Sequence, residues 1–431
     1  MKISEKVLYY VWQYRLYSHL DLVTKHGKTL KIKSPGQLNT HAGPDFEHCR
    51  LLIDGTEWAG NVEIHLKSSD WNVHKHQHDA AYNNVVLHVV YEDDEAITLS
   101  DGSTPETLVL QPLISPALLT KYNELMGSKA WVPCASHLAT LDEFNVAQWL
   151  ERIVIERLLE KQEMVNQLLK ETAYDWEEVT YILLAKNFGF KVNALPFENL
   201  ARNLPYKLLL KNRFHPHLVE ALIFGQAGLL DGHSFQDVYP AELKKTYTHL
   251  RKQHQLTAID QAQWRFLRMR PSNFPTLRLA QFAAWLIREE HLFAKIIAST
   301  AICDFRNLFV NLPVNPYWGG HYRFDVSSSA HSYQLGIASI DNIILNTAVT
   351  ILFSYGKYIG KEAYIYRAIN LLEQLAPENN NIIAQYRRLG IKVKTAADSQ
   401  ALLQLKQGYC SRFRCLDCGI GLQVFKLNKT L

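Results

Sequence analysis

Hydrophobic spacing changes its period along this chain, and that change bounds what the chain can fold into. An opening stretch places Val7, Leu8, Val11, Trp12 and Leu16 at helical spacing. Thr29–Lys33 and Trp58–Lys67 then alternate apolar with polar residues, the pattern of strands with one buried face. Phe46–Ile53 runs into an Asp54-Gly55 turn, and Asn84–Tyr91 is largely apolar, as in a strand covered on both sides. From Phe144 to about Lys170 the period lengthens to that of a helix, with Val146, Trp149, Leu150, Ile153, Ile155, Leu158 and Leu159 on its apolar side. Helical patterns continue to about residue 300, broken by Pro196, Pro205, Pro216, Pro240, Pro271 and Pro275. Residues 311–336 are rich in Pro, Gly, Tyr and Trp and read as ordered but irregular; helices resume near Ala338.

The spacing predicts an α/β (or α+β) N-terminal domain with a sheet, followed by a mostly α-helical region. At 431 residues the chain exceeds what one core usually organises, and its breaks divide it into 1–125, 126–310 and 311–431. A net charge of +4 permits nucleic acid, DNA or RNA, as a partner without demanding it. No apolar run is long enough for a membrane span, and the N-terminus lacks the apolar stretch of a signal peptide. The expectation is a cytoplasmic protein whose six cysteines are mostly reduced.

Within Trp58–Lys67, residues two apart share a face: Glu63, His65 and Lys67 point one way, Val62, Ile64 and Leu66 the other, into a core. Gly43-Pro44-Asp45-Phe46 opens the preceding strand and can set Asp45 beside Glu63. Two carboxylates converging on an apolar sheet edge repel unless a divalent cation shares them, and such oxygen ligands suit Mg²⁺ or Mn²⁺. The ion would lower the pKa of a bound water and stabilise the phosphate, while Lys67 or His65 assists the attacking water. The plainer alternative is a solvated strand face preceded by a turn.

This Pro-Asp, followed eighteen residues later by an acid on the next strand, resembles the PD-(D/E)xK nuclease superfamily. Asp45 would match the motif's aspartate and Glu63 its acid. The resemblance implies an α-β-β-β-α-β core, hence a nuclease-like mixed sheet, and metal-dependent phosphodiester hydrolysis. His65 stands where the motif has lysine; Lys67 would have to reach back, and Glu5 or Glu47 would supply the extra acid some members carry. More broadly, Gly43-Pro-Asp-Phe46, Val62-Glu-Ile-His65, Glu220-Ala-Leu-Ile-Phe-Gly-Gln-Ala-Gly228, Arg270-Pro-Ser-Asn-Phe-Pro275 and the terminal cysteine triplet resemble an uncharacterised bacterial family, a domain of unknown function. That likeness covers nearly the whole chain and implies architecture without an assigned activity.

Seven histidines fall between residues 41 and 88: His41, His48, His65, His74, His76, His78 and His88. His74, His76 and His78 alternate, so in an extended strand they would share a face and bind a transition metal with Asp79 or His65; as loop residues they would simply be polar surface. Near the end, Cys410, Cys415 and Cys418 have C-x4-C-x2-C spacing, and Arg412 and Arg414 would favour thiolates there. No cysteine follows them, so a fourth ligand comes from upstream: Cys134, Cys303 or a histidine. Zn²⁺ and an iron–sulfur cluster both suit such a site.

Trp264 to Arg278 interleaves Arg265, Arg268, Arg270 and Arg278 with aromatics, a composition suited to single-stranded nucleic acid and equally to the wet side of helices. Gly225 and Gly228 lie in an apolar helix-like run, which predicts close helix packing instead of a phosphate loop, because the P-loop's Lys-Ser/Thr is missing. Together these features predict a metal-dependent phosphodiesterase acting on nucleic acid. The alternatives are a non-catalytic nucleic-acid- or protein-binding module with a structural metal, and a transition-metal hydrolase built on the histidines.

Overall fold

The computed structural model describes residues 3–232 and 234–426. The chain forms two compact units, Met1–Trp149 with Lys406–Leu431, and Leu150–Leu405. The first begins with helix α1 (Glu5–Gln13) and a mixed sheet of strands β1 (Leu30–Ser34), β2 (Gln37–Leu38), β3 (Phe46–Ile53), β4 (Thr56–Lys67), β5 (Val85–Glu92) and β6 (Glu106–Val109). The order across the sheet is β1-β3-β4-β5-β6, with β2 paired to β3. The β1, β3 and β4 pairings are antiparallel, whereas β4–β5 and β5–β6 are parallel. An α/β unit with a sheet, followed by a mostly helical region, is what the hydrophobic spacing predicts, and the sheet is mixed.

The β3–β4 connection is the Asp54-Gly55 turn. Both residues have positive φ (+46° and +81°), and Ile53 pairs directly with Thr56, as a two-residue hairpin matched to strand twist requires. Counted back from that turn, an unbroken register would put Phe46 opposite Glu63. The register slips by one residue between Phe46 and Cys49, where His48 adopts φ +59°. Phe46 therefore pairs with Val62, and Asp45 falls beside Glu63. This bulge re-aims the start of β3 and decides which side chain meets the acid of β4.

Val7, Leu8, Val11 and Trp12 of α1 are buried, as are Phe46, Leu51, Val62, Ile64, Leu87 and Val89 of the sheet. β4 is covered on its other face too: Glu63 is only 4% exposed and His65 1%. The cover includes the segment after β4, made of helix α2 (Asp70–Val73) and two 3₁₀ turns, His76–His78 and Ala80–Tyr82. Its Trp71 and Tyr82 form a small apolar cluster with Val85, Ile97 and Leu99. A solvated face for Glu63 and His65 is thereby excluded.

Helix α3 (Pro116–Gly127) completes the α/β part, and the C-terminal segment returns to it. Tyr10 and Phe425 rings meet at 5.4 Å, Lys121 Nζ donates to the Val424 carbonyl at 3.2 Å, and Lys406 Nζ to the Trp131 carbonyl at 2.6 Å. The sequence boundaries at 125 and 310 grouped this segment with the helices before it; here it lies with the sheet.

The second unit is helical, with Phe197, Phe224, Phe282, Trp285 and Trp318 buried. The long helix expected from Phe144 onward spans Glu143–Glu171. A Cβ on Gly225 would sit 2.0 Å from the Tyr247 ring, so the helix Pro216–Gln226 approaches Val238–His254 through that glycine, as its sequence context predicts. Residues 311–336 hold only a 3₁₀ turn and a small hairpin, His321–Arg323 with Val326–Ser327. Ile337–Ile359 is apolar and long enough to cross a membrane by composition, yet 67% of its apolar 18-residue window is buried inside the protein, as in a core helix.

Candidate metal centre

The pairing of β3 with β4 brings Asp45 and Glu63 together. The Asp45 N–H donates to Glu63 Oε2 at 3.0 Å, and the Ile64 N–H donates to Asp45 Oδ2 at 3.0 Å. Burial and the neighbouring Glu63 push the Asp45 carboxyl up to about 7, opposed by a hydrogen bond from Tyr9 of α1. Glu5, one turn earlier on α1, lies close enough to His74, Asp70 and Glu63 to feel their charges, and burial raises its carboxyl as well. Of the two acids expected to assist, Glu5 is therefore the one near the site. Glu47 pairs across to Gln37 at the sheet edge.

The other oxygen of Glu63 faces imidazoles. Glu63 Oε1 is 3.5 Å from His65 Nε2 and 3.3 Å from His76 Nε2, and His74 Nδ1 lies 3.2 Å from His65 Nε2. The ligand atoms of His65, His74 and His76 all lie within 4.8 Å of one another. His74 and His76 converge for a reason other than strand alternation. α2 ends at His74, Lys75 turns through φ +65°, and His76 opens a 3₁₀ turn, which swings both rings onto β4. The extended strand expected for His74, His76 and His78 is corrected: His78 is exposed, and Asp79 caps the next turn through Ala81.

His65 Nδ1 is 2.9 Å from His88 Nε2 on the adjacent strand, where Glu63 and His88 are direct partners. With its proton on Nδ1 and donated to His88, His65 turns a lone pair on Nε2 toward the cluster. Burial, then His88, His76 and His74, hold the His65 pKa down to about 2; burial, then His76, hold His88 down to about 3. Both rings are neutral near neutrality, the state a metal needs. His76 is 9% exposed, and its Nε2 is buried without a hydrogen-bond partner. By sequence His88 is one of seven histidines without a role of its own, and Tyr9 is not singled out. The only signal for His88 is a polar residue in the middle of an apolar strand.

Lys67 does not reach back. Its ammonium, about half exposed, sits 3.7 Å from Glu92 and 3.6 Å from Asp94, and its backbone N–H donates to the Asp70 carboxylate. The cation expected to assist at Glu63 is thus drawn away by carboxylates at the far end of the strand.

At the C-terminus, Cys134, Cys410, Cys415 and Cys418 line one cavity of about 10 Å³. The sulfurs line it without being drawn together as tightly as the histidine nitrogens. Cys303 is exposed in the second unit, so of the two upstream cysteines Cys134 is the one that joins the triplet. Arg414 is held by Asp417 at 2.8 Å, and burial pushes the Cys415 and Cys418 thiols up to about 12; the thiolates expected from Arg412 and Arg414 do not follow.

Arg265, Arg268 and Arg270 are exposed on an irregular segment. Arg278 is 5% exposed, donating to Gln281, Asn273 and Ser339 with its guanidinium 4.5 Å from the Phe190 ring centre. It is a core residue and is unable to contact a phosphate backbone, a correction to its grouping with the other three.

Over residues 5–381 the chain matches the family described as "Protein of unknown function (DUF2851)", and it belongs to that family. No curated protein and no solved structure matches it.

Proposed function

We propose that this member of the DUF2851 family is a cytoplasmic, metal-dependent phosphodiesterase with nucleic acid as its substrate class. The observation that carries the reading is the convergence of the His65, His74 and His76 nitrogens, with Glu63 Oε1 3.5 Å from His65 and 3.3 Å from His76. Three imidazoles and a carboxylate favour Zn²⁺ or a similar transition ion over Mg²⁺, which prefers an all-oxygen shell; Mn²⁺ tolerates both. Such an ion supplies a Lewis acid for a phosphoryl oxygen and a nucleophile at neutral pH. The chain's own part is positioning and proton transfer. His88 fixes the His65 ring, and Asp45, poised near pH 7 beside Tyr9, can take or return a proton. The Asp45–Glu63 pair is also what the nuclease resemblance calls for, and Arg265, Arg268 and Arg270 offer exposed charge for a nucleic acid.

One observation favours the non-catalytic module instead: Lys67, the nearest candidate for the motif's lysine, is engaged elsewhere. Labelled single- and double-stranded DNA and RNA, incubated with protein reloaded with Zn²⁺, Mn²⁺ or Mg²⁺, separate the two. Metal-dependent cleavage that disappears in both Glu63→Ala and His76→Ala, with melting curves intact, supports the enzyme. Cleavage surviving both substitutions, or binding without cleavage under every metal, overturns it.

A further inference from the structure

A second group of ligand-type side chains lies apart from the histidines and is assembled from distant sequence. Cys134 follows α3, whereas Cys410, Cys415 and Cys418 belong to the returning C-terminal segment, and all four border one small cavity. The remaining lining is mainly apolar, including Leu125, Pro133 and Gly421. No disulfide joins any of these cysteines.

The backbone around the triplet is shaped to present sulfur. Phe413 takes φ +52°, and its N–H returns to the Cys410 carbonyl at 3.3 Å. Cys415 and Cys418 are joined by a tight turn, the Cys418 N–H meeting the Cys415 carbonyl at 3.4 Å. Cys418 precedes the helix Gly419–Lys426, and the N–H groups of Ile420 and Gly421 donate to its sulfur. A Cβ on Gly421 would lie 2.0 Å from the Cys415 carbonyl oxygen, so the close turn requires glycine there. Backbone N–H groups aimed at a cysteine sulfur stabilise it as a metal-bound thiolate and fix its direction.

We infer that Cys134, Cys410, Cys415 and Cys418 form a structural site for a single thiophilic ion, Zn²⁺, which ties the C-terminal segment to the first unit. The four sulfurs border one pocket but are not drawn within 4.8 Å of one another as the histidine nitrogens are, so a bound ion would have to pull them inward. Four sulfur ligands satisfy the tetrahedral preference of Zn²⁺ and leave no open position, so the site is structural. Binding converts four thiols to thiolates and releases their protons to solvent, with no change of oxidation state.

The full chain, purified after growth with zinc, is assayed for metal by mass spectrometry. Cys134→Ser and Cys418→Ser are each expected to lose about one equivalent of zinc, while His76→Ala and Glu63→Ala retain that equivalent. This keeps the site distinguishable from the histidine centre. Because a cysteine variant can misfold, the wild-type protein is also titrated with a mercurial thiol reagent. Zinc released in step with modification of the last buried thiols, about one ion per four sulfurs, supports the proposal. Thiols that titrate without releasing zinc, a disulfide among these cysteines in the non-reduced mass, or iron with acid-labile sulfide in place of zinc would each overturn it.

Discussion

Asp45 and Glu63 hold each other through the backbone: the Asp45 N–H is spent on Glu63 Oε2, and the N–H of Ile64, next to Glu63, on Asp45 Oδ2, both at 3.0 Å. The reciprocal bonds fix two carboxylates on adjacent strands and leave Glu63 Oε1 to face His65 and His76. Unpaired buried charge is expensive, and a cation shared among these groups offsets that cost.

The first prediction concerns which histidines bind metal. His65→Ala and His76→Ala are expected to weaken Zn²⁺ binding at this centre by at least tenfold, and His88→Ala, acting through His65, by about tenfold. His78→Ala should leave it unchanged, because that ring lies outside the group of converging nitrogens. Calorimetric titration of metal-free protein reads all four, and an equal loss for His76 and His78 would contradict the geometry.

The bulge in β3 is testable by itself. His48 sits at φ +59°, where a β-branched side chain is strained and glycine is at ease. His48→Val should destabilise the protein by about 1–2 kcal/mol and weaken metal binding, while His48→Gly should match or exceed wild type in urea melts.

Lys67 separates the two readings of the strand. Its partners are Glu92 and Asp94 at the surface, so Lys67→Ala should cost less than about 1 kcal/mol and leave metal affinity unaltered. A large fall in metal-dependent turnover would instead place its ammonium in the reaction.

Acidification tests the buried titrating groups of the metal-free protein. Asp45 is pushed from 3.8 up to about 7, so the native state keeps a proton that the unfolded chain releases. Its contribution is full below pH 3.8 and is lost as pH rises toward 7. His65 and His88 run the other way: held near 2 and 3 against 6.5, they cost stability as pH falls below 6.5. Within this cluster two imidazoles outweigh one carboxyl, so its own contribution should fall between pH 6.5 and 4. Glu220 of the second unit, also pushed up to about 7, works against that fall. Asp45→Asn removes the cluster's own opposing contribution and should make that fall steeper; urea midpoints at half-unit steps would show an unchanged slope if the assignment is wrong.

Helix packing in the second unit gives a prediction on stability alone. Gly225→Ala forces a methyl into the Tyr247 ring and should cost about 1–3 kcal/mol. Gly127→Ala, with nothing within 4 Å of the added carbon, should be neutral or slightly stabilising. Thermal melts of the pair compare the two directly.

Much of this molecule is written in local pattern. Alternation placed the strand Thr56–Lys67 to within two residues. The run into Asp54-Gly55 placed Phe46–Ile53 and the turn after it, and the helical period placed Glu143–Glu171 to within about a residue at each end. These depend on neighbours a few residues apart, so periodicity and turn chemistry suffice to read them. Tertiary structure decided the rest. A one-residue bulge at His48 chose Asp45 over Phe46 as the partner of Glu63, and a left-handed Lys75 set His74 and His76 against His65 while leaving His78 out of the group. Surface carboxylates drew Lys67 off, a closed core took Arg278, and the returning C-terminus selected Cys134 over Cys303. Each outcome turns on register or on contacts between residues far apart in sequence, where the side-chain pattern is the same either way and only packing tells the alternatives apart.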